Sequence, residues 1–179
     1  MVGGTSKRRA WRLAGLPADP PSGASRKKLM LFGQFVGDWD ILRWRSRRSA
    51  RDPRRRVGEV HFAWVLNGQA IQDTWGGLDP TSDRFVAAGT TLRFYDRFLD
   101  AWRSTWISPG SDRNQTIRRF VGRKVGTEIV LKEEARGNRT ERWIFFDIHP
   151  ASFRWRAERR ATAGGSWKIV EEMELARTN

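Results

Sequence analysis

The 179 residues carry 34 basic and 20 acidic side chains, a net charge of +14, with no cysteine and two histidines. That length fits one domain able to bury a sizeable core. The missing cysteines exclude disulfides, thiolate nucleophiles and Cys-based zinc sites, and His61 and His149 alone leave little for a His-based metal site. Neither a metal nor a cofactor is therefore expected. No apolar run approaches the ~20 residues of a membrane span, and the Arg-rich start lacks an apolar h-region, so the cytoplasm is the expected compartment.

The chain holds ten Trp, ten Phe and one Tyr, and its positive charge is made with 28 Arg and 6 Lys. An Arg bias of this kind follows most simply from a GC-rich bacterial genome. Residues 1–28 carry a net +6 and residues 43–56 a net +7, which leaves +1 for the rest of the chain. The excess thus belongs to a tail and one connection, while the aromatics lie elsewhere. Nucleic-acid binding, which weaves cations among exposed aromatics on one surface, is not expected.

Residues 1–24, rich in Gly, Pro, Ser and Ala, read as a basic flexible tail, and residues 25–179 as the folded domain. Leu29, Phe32, Phe35 and Val36 give an apolar stripe of helical period from Ser25 to about Phe35. After Gly37 the period becomes two. Strands are expected near 38–46, 57–66, 69–76, 85–95, 101–108, 114–122, 127–136, 139–148, 151–160 and 166–176. Turn residues separate them, with Asn67-Gly68 the clearest hairpin signal. Consecutive hairpins without a crossover helix predict an all-β fold, a closed antiparallel up-and-down β-barrel of about 8–10 strands with a short N-terminal helix. Closure removes the open edges that a β-sandwich, the competing architecture, would keep.

Gly37-Asp38-Trp39 opens the first strand and Arg177 ends the last. This resembles the calycin pattern of lipocalins and fatty-acid-binding-protein-like barrels, which implies an Arg packed over a first-strand Trp at the closed end. Tyr95-Asp96 followed by Trp102 and Trp106, and Gly164-Gly165-Ser166-Trp167 before the last strand, extend the likeness to a family of uncharacterised bacterial calycin-like proteins. That resemblance implies a barrel with an internal pocket and brings no defined activity. Haem-binding nitrobindin-like barrels carry Gly-x-Trp-x-Gly-x-Gly and a late proximal His. Here Ile41 and Arg43 replace the later glycines and His149 precedes Pro150, so haem is not expected.

Strand parity sorts candidate site residues. Counting from Trp39 places Arg43 inward, and counting from Trp167 places Glu171 and Met173 inward, so Arg43 and Glu171 could meet in the cavity or form a structural pair at the mouth. His61 is the best candidate general base if inward, with Asp73 to orient it, although a lone His opposite an apolar face is more often on the surface. Tyr95 is a candidate hydroxyl donor or a turn marker. The candidate catalytic set is therefore His61, Asp73, Tyr95 and Glu171. The candidate ligand lining is Arg43, Trp64, Trp75, Phe94, Trp102, Trp106, Trp143, Trp155 and Met173, against the simpler reading of the indoles as core. Glu133 and Glu141 read as solvated.

No nucleophile elbow, phosphate-binding loop or zinc-protease motif is present. The expected function is binding of a small hydrophobic, aromatic, polyketide- or terpenoid-like molecule. One alternative is a cofactor-independent cyclase or isomerase of bacterial secondary metabolism in the same cavity. Another is an interaction protein using the Arg-rich tail and connection. A homodimer is left open.

Overall fold

A computed structural model describes residues 26–46, 57–110, 115–134, 140–162 and 164–178. The basic tail and most of the 43–56 connection lie outside these residues. Helix α1 spans Arg26–Gly33, and ten strands follow: β1 Gly37–Ser46, β2 Gly58–Val65, β3 Ala70–Leu78, β4 Phe85–Asp96 and β5 Ala101–Ser108, then β6 Thr116–Val125, β7 Glu128–Glu133, β8 Thr140–His149, β9 Ser152–Arg160 and β10 Lys168–Arg177. Each strand pairs antiparallel with the next, and β10 returns to β1, closing the barrel. The predicted class holds, with no free sheet edge among the described strands.

The helix is shorter than its stripe suggested because the chain turns after Gly33, where Phe35 N–H donates to Phe32 O at 3.0 Å. Leu29, Phe32 and Phe35 nonetheless face the barrel and seal one end. Phe35 packs on Phe145 and Phe153 at centroid distances of 5.1 and 4.8 Å, and Phe32 meets Trp102 edge-on at 5.0 Å. Trp64 lies against Gly33, where a Cβ would stand only 2.4 Å from its ring. The Asn67-Gly68 hairpin is wider than a two-residue turn. Leu66, Asn67 and Gly68 all adopt positive φ, and β2 and β3 resume pairing at Val65 and Ala70.

At the sealed end the Arg177 guanidinium lies 4.2 Å from the Trp39 ring centroid. Its Nε, Nη1 and Nη2 donate to the carbonyls of Pro150, Val36 and Gln34 at 3.0, 3.0 and 3.1 Å. Gly37 is required beside it: φ is +126°, and a Cβ would stand 2.5 Å from Arg177 Nη1. Trp39 Nε1–H donates to Phe35 O at 2.6 Å, tying strand to plug. This stack is the calycin feature that the resemblance implied.

Two irregularities decide which side chains face inward. The β1–β10 register shifts between Ile41 and Arg43, and the β10–β9 register shifts between Ile169 and Glu171. One extra residue reverses parity beyond it. Trp44 rather than Arg43 then packs inward, against the core and 4.9 Å from the Trp75 ring, and Ile169 is exposed while Glu171, Met173 and Leu175 face in. Trp167 precedes β10, stacked with Arg142 and Arg160 at 4.3 and 4.7 Å.

Candidate functional site

Above the aromatic plug the barrel keeps an interior cavity of about 310 Å³. Its girdle is Trp75, Trp106, Trp143 and Trp155 with Met173. These indoles lock edge to face: Trp75 to Trp106 at 5.8 Å, Trp106 to Trp143 at 6.0 Å and Trp143 to Trp155 at 5.5 Å. Gly89 makes room for Trp106, since a Cβ there would fall 2.4 Å from the ring. Val60, Phe62, Phe145 and Phe153 continue the apolar wall towards the plug.

Polar groups occupy two zones. Near the plug, Asp73 on β3 forms an ion pair with Arg93 on β4, both almost fully buried. Thr91 Oγ1 donates to Asp73 Oδ1 at 3.3 Å. Burial pushes the Asp73 carboxyl up, against the opposing pull of Arg93 and the Thr91 hydroxyl. The Arg93 guanidinium is held between Phe32 and Phe62, 4.9 and 5.5 Å from their centroids.

The second zone lies beyond the girdle, on β1 and on β6 through β10. Trp44 Nε1–H donates to Glu171 Oε1 at 2.6 Å. Arg118 forks onto Glu133 through Nε and Nη2 at 2.9 and 2.8 Å, and reaches Glu141 through Nη1 at 2.6 Å. Glu141 also accepts from Trp143 Nε1 and from Arg159. Two carboxyls of this zone, Glu171 and Glu141, are driven apart. Burial, aided by the charge of Glu141, pushes Glu171 up. Burial also opposes ionisation of Glu141, yet Arg118, Trp143 and Arg159 together hold it below the ordinary carboxylate range.

Of the residues singled out in the sequence, Asp73, Glu171, Trp75, Trp106, Trp143, Trp155 and Met173 line this cavity. Six others stand elsewhere. Arg43 is exposed on the outer face beside Glu174, because the β1 bulge turns it out. His61 faces outward too, its Nδ1 2.8 Å from Asp38 and its Nε2 2.9 Å from Glu59. It neither meets Asp73 nor reaches the cavity, because Val60 and Phe62 take the inward positions of β2. Tyr95 donates to Asp100 in the β4–β5 turn beneath the helix. Phe94 is exposed, since adjacent residues of one strand cannot both face in. Trp64 and Trp102 are buried against the helix and belong to the plug.

Arg93, Arg118 and Glu141 are the interior groups that the sequence reading passed over. Glu141 is buried rather than solvated, 4% exposed. The signal was available as alternation: Thr91, Arg93 and Tyr95 form one face of β4, and taking Tyr95 inward takes Arg93 with it. Among the described residues, no group of three or more metal-ligating side chains is assembled and no helix is long and apolar enough to cross a membrane.

The S-type phycobiliprotein lyase of Guillardia theta has a similar solved structure, with a TM-score of 0.50 and 10% identity over 88% of this chain and 99% of that one. At that identity the likeness concerns the fold alone, a closed antiparallel barrel. No family model matches the chain, and no curated protein does. The expected kinship with one bacterial calycin-like family therefore rests on its short motifs alone.

Proposed function

We propose that the barrel is a receptor for one small hydrophobic molecule, aromatic, polyketide-like or terpenoid-like, held among the indoles of its cavity. The observation that carries this reading is the cavity itself. A barrel that only needed a core would collapse its girdle on the axis, whereas this one keeps about 310 Å³ open between four edge-to-face indoles. That volume lies within the range of small-molecule sites, and an apolar wall with a few polar groups is their usual composition. The test is a titration with an environment-sensitive apolar dye, followed by Trp fluorescence. One saturable site, displaced by planar hydrophobic molecules, is expected. No saturable binding by the folded protein would remove the reading.

A second reading, acid–base cyclisation or isomerisation without a cofactor, draws on Asp73 and Glu171. Both are cavity-wall carboxyls pushed up by burial. Glu171, partnered by an indole, is the one suited to hold a proton in a water-poor site, while Asp73 is paired with Arg93 and would accept one. With His61 and Tyr95 outside the cavity, these two are the remaining members of the candidate set. Molecules retained by the barrel should then be converted on incubation, and Asp73→Asn or Glu171→Gln should abolish conversion while binding persists. Retention without chemical change would leave the receptor reading alone.

A further inference from the structure

We infer that the ligand carries one positively charged nitrogen, an ammonium on a flat apolar body, seated between the girdle indoles and the carboxylate of Glu171. The inference rests on the cavity being a binding site and names the chemistry of what it binds.

Glu171 lines the cavity from β10, on the same face as Met173 of the girdle. Its Oε1 accepts from Trp44 Nε1, and Trp44 packs edge to face on Trp75 at 4.9 Å, so the carboxyl stands beside the indoles. The residue is partly exposed, and neither carboxyl oxygen is both sealed and unpaired, so an occupant meets it.

The charges that face it from neighbouring strands are already engaged. Arg118 of β6 commits Nε, Nη1 and Nη2 to Glu133 of β7 and Glu141 of β8, and Arg159 of β9 commits Nε and Nη2 to Glu141. From β1, Trp44 donates without a charge. The zone thus sets three carboxyls against two guanidiniums, and Glu171 is the one without an ion pair among the described residues. At the plug end Asp73 and Arg93 cancel.

That imbalance selects the occupant. An anion would meet Glu171 and Glu141 with no uncommitted guanidinium to hold it. A hydrocarbon would strip water from Glu171 and replace it with nothing, so it binds only against a protonated carboxyl. A neutral hydroxyl would supply a donor but leave the charge uncompensated. An ammonium supplies both, and indole rings attract it; Trp143 already takes the Arg118 guanidinium 5.4 Å from its ring. The net charge of +14 lies mostly in residues 1–28 and 43–56 and is screened beyond about 10 Å, whereas Glu171 acts at contact. Burial makes Glu171 favour its proton in the empty barrel, so entry of the cation releases that proton to solvent.

The test compares three naphthalenes substituted at the same carbon: the trimethylammonium, its neutral isostere the tert-butyl compound, and the carboxylate. By displacement of the apolar dye, the ammonium should bind roughly tenfold or more tightly than either of the others. Its affinity should rise with pH as Glu171 ionises, while that of the tert-butyl compound should not. Glu171→Gln should erase both the preference and the rise. If that variant does not fold, the isostere comparison and the pH dependence of the intact protein still decide. Binding of the tert-butyl compound as tight as the ammonium, tightest binding of the carboxylate, or an ammonium affinity indifferent to pH would each overturn the inference while leaving a hydrophobic receptor in place. Binding of none of the three would overturn the receptor reading and this inference together.

Discussion

Trp44 and Glu171 meet across the seam of the barrel: the indole Nε1–H donates to the carboxyl at 2.6 Å, inside the closure between first and last strands. The pair exists because the bulge after Ile41 turns Trp44 inward in place of Arg43. Glu171 therefore has an indole rather than a guanidinium as its nearest partner, and burial raises its pKa.

The sign of its effect on stability follows. Between the unfolded value near 4.5 and the raised folded value, the native state binds the proton more strongly than the unfolded chain does. The contribution of Glu171 to stability is thus fully present at lower pH and is lost as pH rises through that window. Glu171→Gln keeps an acceptor for Trp44 and removes the titration. The variant should gain stability relative to the parent as pH rises from the unfolded value near 4.5 through the raised folded one. Urea midpoints measured across that range provide the check, and parallel curves for the two proteins would refute it.

Glu141 should bend the curve the other way. Burial opposes its charge, but Arg118, Trp143 and Arg159 hold it below the ordinary carboxylate range. A depressed carboxyl contributes stability that is present above the unfolded pKa and lost as pH falls through the folded one. Glu141→Gln should cost about 2 kcal/mol at neutral pH, less than for a fully isolated buried pair because Arg118 retains Glu133. The loss should change little with added salt, since the carboxyl is screened from solvent. A cost that vanishes in moderate salt would assign these contacts to the surface instead.

How far the sequence reached follows from what kind of information each feature needs. The ten strands and the plug were legible because period-two alternation and turn residues are local. The Trp39–Arg177 stack was legible through the resemblance to the calycin pattern that the two ends of the domain carry. Facing was less legible. One bulge in β1 exchanged Arg43 for Trp44, and no residue near Ile41 announces it. Phe94 was placed with the lining for being aromatic, although Tyr95 beside it already required the opposite parity. The interior charges were the hardest: alternation along β4 takes Arg93 inward with Tyr95, but a buried guanidinium is tolerated there because Asp73 on the neighbouring strand pairs with it.

Arg177 supplies a test of the closed end that is separate from the cavity. It stacks on Trp39 and ties three carbonyls from two segments, and none of these contacts involves the lining. Arg177→Ala should lower stability by about 2 kcal/mol, combining the cation–π contact with lost charge-assisted hydrogen bonds. Arg177→Lys keeps the charge but cannot reproduce the three-way fork, so it should recover only part of the loss. Dye affinity of the folded fraction should not change. An unaltered denaturation midpoint for Arg177→Ala would count against the stack as a stabilising closure.

The girdle indoles can be asked directly whether they serve a ligand or only the core. Trp106 is half-buried, touches both Trp75 and Trp143, and lines the cavity. If its ring contacts the occupant, Trp106→Ala should weaken binding of an apolar probe by ~1–3 kcal/mol, roughly five- to 150-fold. If the ring were only core, the same change would cost stability through a cavity and leave affinity in the folded fraction intact. A substitution at Gly89 approaches the question from the other side. The added methyl of Gly89→Ala would stand 2.4 Å from the Trp106 ring, and 2.5 Å from the Ile107 carbonyl, so the ring and strand must shift. Displacing that ring narrows the space between the indoles and should discriminate by ligand size, with wide planar probes losing more affinity than narrow ones. Equal losses for wide and narrow probes, or none for either, would mean that Trp106 does not set the width of the site.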